Sequence, residues 1–171
     1  KRRQEDSVHP YLLRSLPPEK PNDCWQVDIS YIRMNQGYLY LTALIDVVSR
    51  KVMGWNLSLF LETLSCLMAL ESALNSGYKP VIVNSDQGCQ FTSDAWVKTL
   101  TNNNILISRD GKGRCLDNIY IERFWRTIKY EEVYLKTYES VTEAQKSIGA
   151  YIKWYNTERP HQALNYKTPD E

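Results

Sequence analysis

Three stretches of the chain, 25–32, 38–47 and 51–59, are dominated by β-branched and aromatic residues and are separated by breaks at Asn35-Gln36-Gly37 and Ser49-Arg50. Three consecutive antiparallel strands are predicted. Between residues 62 and 75 the spacing changes: Leu64, Leu67, Met68, Leu70 and Leu74 recur near a helical period and Gly77 closes the run, which predicts a helix. A short buried strand is expected over 79–84, a helix capped by Thr92-Ser93 and running through about Thr101, and another short strand at Ile105-Leu106-Ile107. Residues 108–114, with two glycines and four charges, read as a mobile loop. The next helix starts near Asp117-Asn118, where either side chain is suited to cap exposed N–H groups. Its residues Ile121, Phe124, Trp125 and Ile128 form one face, while Glu122, Arg126 and Lys129 share another. A last helix over 142–156 carries Ala144, Ile148, Tyr151, Ile152 and Tyr155. Strands alternating with helices after a meander indicate an α/β layered fold with a mixed sheet.

Composition narrows the setting. A chain of 171 residues at 43% hydrophobic content has enough apolar surface to build one core. Residues 24–171 are expected to form that core, and the basic, then Pro-rich residues 1–23 an arm or linker. The apolar runs are too short for a bilayer and no signal-peptide pattern opens the chain, so a soluble, cytoplasmic protein is expected. Cys24, Cys66, Cys89 and Cys115 are widely spaced, with only His9 and His161 as nitrogen donors; neither a zinc site nor a disulfide framework is supported. Net charge is +1, so overall charge does not advertise nucleic acid. The basic residues are unevenly placed, however. Arg109, Lys112, Arg114, Arg123, Arg126 and Lys129 crowd around Glu122 in sequence, a pattern suited to a polyanionic substrate beside an acidic centre.

Three carboxylates stand in apolar or aromatic settings: Asp28 in Trp25-Gln-Val-Asp-Ile-Ser-Tyr31, Asp86 after Val81-Ile-Val-Asn-Ser85, and Glu122 before Arg123-Phe-Trp125, with 35 residues between the last two. Carboxylates held among apolar neighbours call for a cation. Opening a phosphodiester bond at neutral pH requires an activated water or sugar hydroxyl and neutralisation of the leaving oxygen. Two Mg²⁺ ions roughly 3.5–4 Å apart do both, and Mg²⁺ needs only oxygen ligands. In this reading Asp28 bridges two ions, Asp86 holds one and Glu122 the other. Taken singly, each acid has a structural explanation: Asp28 as a strand-end cap, Asp86 as a turn residue, Glu122 as an exposed helix residue. Asp46 is expected to pair with Arg50, and Asp117 to cap a helix.

The motifs Trp25-Gln-Val-Asp28-Ile-Ser-Tyr31, Tyr40 to Asp46 through Ser49-Arg50 to Gly54-Trp55, Ser85-Asp86-Gln-Gly88-Cys-Gln90-Phe-Thr-Ser93, Asp117-Asn118 through Glu122-Arg-Phe-Trp125, and Trp154-Tyr-Asn156-Thr-Glu-Arg159-Pro-His161-Gln resemble, in order, those of bacterial insertion-sequence transposases. More narrowly they resemble the catalytic part of the insertion-sequence-three family, related to the retroviral integrase core. The resemblance implies a ribonuclease H-like fold with a five-stranded sheet, three antiparallel strands followed by two parallel ones. It also implies an Asp-Asp-Glu triad at Asp28, Asp86 and Glu122, use of Mg²⁺ with Mn²⁺ as substitute, and cleavage and strand transfer at transposon ends. Asn84 stands where some branches of the family carry His.

Among softer positions, Gln87, Lys112, Arg114, Asn118, Arg126 and Lys129 are candidate DNA contacts; Asn118 is equally suited to capping, and Arg126 to pairing with Glu122. The tryptophans are expected to pack more than to stack on bases. The expected partners are DNA, further transposase chains assembled on it, and a separate helix-turn-helix region outside this chain, since residues 1–23 are too short to supply one. The location implied is the bacterial cytoplasm, on the nucleoid when DNA is bound. A nuclease on the same fold, or a repurposed chain that only binds DNA or partners, are the competing readings.

Overall fold

A computed structural model describes residues 9–111 and 115–171. Strands β1 (Cys24–Arg33), β2 (Tyr38–Asp46) and β3 (Val52–Ser58) form the expected antiparallel meander. Helix α1 (Thr63–Leu74) crosses to β4 (Ile82–Ser85), and the short α2 (Cys89–Thr92) with α3 (Asp94–Asn102) crosses to β5 (Leu106–Arg109). Both β4 and β5 run parallel to their neighbours, in the sheet order β3-β2-β1-β4-β5. Helices α4 (Ile119–Glu131) and α5 (Val141–Thr157) follow. Among the described residues no helix is long and apolar enough to cross a membrane.

The sheet is covered on both faces, and strand parity decides which side chain meets which layer. On β2, Leu41, Ala43 and Ile45 join the core built with α4 and α5, whereas Leu44 joins the core built with α1 and α3. This double burial explains why β2 reads as an unbroken apolar run and not as an alternation. On β1, Trp25 and Val27 belong to the α1/α3 core, and Ile32 to the α4/α5 core. Gln26, Asp28 and Ser30 share Ile32's parity, so the α4 side of the central strand is where polar groups interrupt the apolar pattern.

Several boundaries differ from the expected ones for identifiable reasons. Pairing with β4 carries β5 through Ser108 and Arg109, and Asp110 N–H continues to Ser85 O at 2.9 Å. The start of the anticipated 108–114 loop is therefore strand, and its charges had hidden it. Asp46 does not pair with Arg50; its carboxylate accepts from the backbone N–H groups of Asn22 (2.6 Å), Val48 (2.9 Å) and Ser49 (2.7 Å), which holds the β2–β3 turn. Residues ahead of β1 lie along the sheet: Leu12 N–H donates to Ser108 Oγ at 2.9 Å, Arg109 N–H to Pro10 O at 3.2 Å, and Leu12 and Leu13 pack on Cys24, Val47 and Ile82.

Candidate active site

Parallel pairing of β1 with β4 matches Gln26 to Asn84. Two residues further along the chain from each come Asp28, within β1, and Asp86, past the end of β4. Asp28 is half-buried in mid-strand opposite Ala43; Asp86 is exposed, just past the end of β4. Asp86 Oδ1 accepts from Gly88 N–H at 2.8 Å. A Cβ on Gly88 would fall 2.9 Å from that same oxygen, so the absence of a side chain at this position permits the turn that carries Asp86.

Glu122 arrives from the α4 layer, exposed in the helix's first turn, where the helix dipole favours an anion. The docking of that helix end depends on Gln26, whose side chain is 1% exposed. Gln26 Oε1 accepts from both Tyr120 N–H and Ile121 N–H at 3.1 Å, and Nε2 donates to Asp117 O at 3.3 Å. Neither Asp117 nor Asn118 supplies the anticipated side-chain cap. Asp117 Oδ2 accepts instead from Gly111 N–H at 3.2 Å, and Asn118 makes no capping bond. A strand residue thus satisfies donors that a local cap ordinarily satisfies. Gln26→Leu is expected to lower stability by about 2 kcal/mol and to accelerate hydrogen exchange at the Tyr120 and Ile121 amides; unchanged exchange at both amides would show that the helix end is held by something else.

The second tie between α4 and β1 is Trp125, whose indole N–H donates to Asp28 Oδ2 at 3.1 Å. Burial, reinforced by the carboxylates of Asp86 and Glu122, pushes the Asp28 carboxyl up to about 7, against the lowering effect of hydrogen bonds from the Ile29 backbone and Trp125. Asp28 therefore senses the charges of both other acids. A fourth acid, buried Asp110, joins the same field: burial and the carboxylates of Asp117, Asp86 and Glu122 push it up to about 6, opposed by a 2.8 Å bond from Asn84 Nδ2. Asn84 links this layer together, accepting at Oδ1 from Ser108 Oγ at 2.7 Å. Gln26, Trp125 and Asp110 were not anticipated as site residues; Gln26 alone had a sequence signal, being polar and on Asp28's strand face.

The candidate DNA contacts separate. Arg126 is exposed and Lys129 half-buried on α4. Gln87 is exposed at its backbone turn, with Nε2 donating to Asp110 O at 2.9 Å. Asn118 is 3% exposed, with its amide directed to Val27 O at 3.4 Å and its oxygen accepting from Asn84 at 3.4 Å; its bonds lie inside the fold. Lys112 and Arg114 lie outside the described residues. Trp25 and Trp125 are buried and Trp55 packs against the core, whereas Trp154 is 41% exposed.

An oxygen-only donor set suits a hard divalent cation, and burial with the charges of Asp86 and Glu122 raises the Asp28 carboxyl. Among the described residues no three such side chains converge closely enough to hold an ion on their own. The donor chemistry fits a metal, with further oxygens needed to complete the shell.

Two models described as integrase core domain match residues 18–115 and 103–169. The chain belongs to the integrase core domain family. Relatives of this integrase core include the transposase for insertion sequence element IS904 of Lactococcus lactis, 36% identical over 88% of this chain and 61% of that protein. Others are the putative transposase InsK for IS150 of Escherichia coli, 30% identical over 94% of this chain and 57% of that protein, and transposase InsF for IS3A of the same organism, 33% identical over 88% and 54%. The chain thus spans somewhat over half the length of these curated relatives. Among solved structures, the magnesium-bound catalytic core domain of HTLV-2 integrase (dimeric form) aligns with TM-score 0.67 at 18% identity over 87% of this chain and 94% of that one. The simian T-cell lymphotropic virus intasome aligns with TM-score 0.76 at 17% identity over 87% and 53%. The fold is the ribonuclease H-like fold expected from the motifs.

Proposed function

We propose that this chain is the catalytic domain of a DNA transposase, with Asp28, Asp86 and Glu122 as its metal-holding acids. The observation that supports the reading is the β1–β4 register, which continued two residues past Gln26 and Asn84 runs to Asp28 and Asp86, together with the action of the Asp86 and Glu122 charges on Asp28. Bound Mg²⁺, or Mn²⁺ in its place, would polarise the phosphoryl oxygens and lower the pKa of a coordinated water or hydroxyl. In cleavage, water oxygen attacks phosphorus at a transposon end and the P–O3′ bond breaks, leaving a 3′ hydroxyl and a 5′ phosphate. In transfer, that 3′ oxygen attacks a phosphodiester of a second DNA and displaces its 3′ oxygen. The chain's own contribution is placement. Trp125 orients Asp28, Gln26 seats the helix end that delivers Glu122, and the Gly88 N–H steadies Asp86. Residues 24–171 act as the catalytic core and residues 1–23 as its arm; DNA-end selection belongs to a helix-turn-helix region elsewhere in the transposase, and pairing of two ends to an assembly of several chains on the nucleoid.

A titration of the purified chain with Mg²⁺ or Mn²⁺, read by thermal unfolding with and without duplex DNA, tests the metal site. At about 100 times the dissociation constant, one bound ion contributes about 2.7 kcal/mol, a rise in Tm of about 5–10 °C for a domain of this size. Asp86→Asn is expected to lose that rise. No metal-dependent shift in the wild type, in either DNA condition, removes the reading.

A further inference from the structure

Beyond the acids, α4 borders a second concavity of about 400 Å³, walled by the end of β2, the β2–β3 turn and the segment after α5. Four arginines line it: Arg50, Arg123, Arg126 and Arg159. Arg159 is neutralised by Glu131, which accepts from its Nε at 2.8 Å and its NH2 group at 2.6 Å. Among the described residues Arg50, Arg123 and Arg126 have no carboxylate partner. Arg50 lies over the Tyr120 ring at 3.9 Å and Arg123 reaches the same ring at 5.9 Å, so two cations are gathered on one aromatic wall. Arg50 does this from a left-handed backbone conformation, φ +64°, which a side chain with a Cβ adopts at a cost. An independent observation concerns His161: the residue borders the same cavity, is 9% exposed, and its buried Nε2 has no hydrogen-bond partner among the described residues.

Three guanidinium groups without a carboxylate partner line one cavity and repel one another, although Arg50 also donates to Val47 O; a buried imidazole nitrogen without a partner carries a desolvation cost. An anion in the cavity offsets the repulsion, and a turn of the imidazole toward it supplies the missing partner. Its volume falls within the range of roughly 300–1,000 Å³ typical of small-ligand sites, and the planar guanidinium forks match phosphate oxygens. The position selects the source of the phosphate. Arg123 follows Glu122 directly, and Arg126 lies one turn along α4, about 6 Å by helical rise. A DNA strand advances about 3.4 Å per phosphate, so a strand with one phosphate at Glu122 brings neighbouring phosphates to this arginine wall.

We propose that the Arg50, Arg123, Arg126 and His161 cavity is a second, metal-independent binding site for a backbone phosphate of the DNA strand engaged at the acids. The affinity for phosphate stands on the cavity alone; the choice of DNA rests on the function proposed above.

The test uses the 171-residue chain in EDTA, so that no metal at the acids contributes. Binding of a fluorescein-labelled duplex is followed by anisotropy at several salt concentrations. The double variant Arg123→Ala/Arg126→Ala is expected to bind about tenfold or more weakly at about 0.1 M salt and to lower the salt slope by about 2, close to one released counterion per lost contact. Lys146→Ala/Lys153→Ala, which removes equal charge from exposed positions of α5, is expected to keep the wild-type slope. The second readout is the ¹⁵N imidazole resonances of the chain's two histidines: duplex DNA is expected to shift His161 Nε2, and inorganic phosphate to do so at higher concentration. Equal slopes for the two double variants overturn the proposal, as does a His161 shift with inorganic phosphate but none with DNA, which would make the cavity a small-anion site. A wild type that binds no DNA in EDTA also overturns the proposal, and one that binds none and cleaves none with Mg²⁺ or Mn²⁺ added sinks the transposase reading itself.

Discussion

Asp28→Asn is expected to abolish metal-dependent strand cleavage, by about 10³-fold or more, roughly 4 kcal/mol of lost transition-state stabilisation, while making the metal-free protein more stable. Both effects come from one carboxylate. As a proposed metal-holding acid it has no substitute on its strand face, and an amide would contribute no negative charge to a divalent cation. In the absence of metal, the same carboxylate is a liability to folding, because burial and the neighbouring Asp86 and Glu122 raise its pKa to about 7, against about 3.9 for an unfolded Asp. The native state therefore binds the proton more tightly than the unfolded state, and stability falls as pH rises across that interval. The penalty is absent below about pH 4, grows between about pH 4 and 7, and stands at full size above 7. After discounting for partial exposure, its removal is worth on the order of 2 kcal/mol at pH 8, a rise in Tm of about 4–8 °C. Thermal unfolding of wild type and variant in EDTA at pH 5 and pH 8 checks the sign: the gap should be wider at pH 8. A variant no more stable than wild type at pH 8, or one that retains cleavage, would remove Asp28 from the acid centre.

Gly54→Ala is expected to be the most destabilising methyl addition among the described glycines. Gly54 lies in β3 opposite Leu44, where helix α1 passes directly over the strand. A Cβ would come within 2.4 Å of Ala73 N, 2.6 Å of Ala69 O and 2.7 Å of Ala73 Cα. These are backbone atoms of the helix, so no side-chain rotation relieves the clash; the helix has to lift from the sheet. Overpacking of this kind costs about 1–3 kcal/mol and more where backbone must move. About 3 kcal/mol, or a fall in Tm of about 6–12 °C, is expected in a thermal or urea melt. The contact lies in the α1/α3 layer, whereas Glu122 and Trp125 belong to α4, so cleavage by the folded fraction should persist. A melt unchanged from wild type would show that α1 has room to retreat.

The central elements of the site were legible because they are local. The meander followed from composition and breaks, and the polar Asp28 stood out within an apolar strand. The helix over Glu122 followed from the spacing of Ile121, Phe124, Trp125 and Ile128, all of which are buried. Boundaries failed where long-range pairing overrode composition. Ser108 and Arg109 carry no strand signal, yet β4 extends them as strand. Asp46 and Arg50, four residues apart, were matched by opposite charge. In the fold, three backbone N–H groups claim Asp46, and Arg50 turns to Tyr120. Asn118, suited by type to a helix cap or a DNA contact, is buried among Val27 and Asn84.

The amino-acid sequence by itself determined the strand and helix order, the mixed α/β class, the family, and the three acids worth testing, since periodicity, turn chemistry and motif spacing are written within short segments. Tertiary structure alone decided how those acids are held and what surrounds them. The Gln26 bonds to Tyr120 and Ile121, the Trp125 bond to Asp28, the buried Asp110 and the arginine-lined cavity all join side chains from segments far apart along the chain. Such contacts depend on strand register and on how a helix is seated over a sheet, and neither is encoded in the neighbourhood of any one residue.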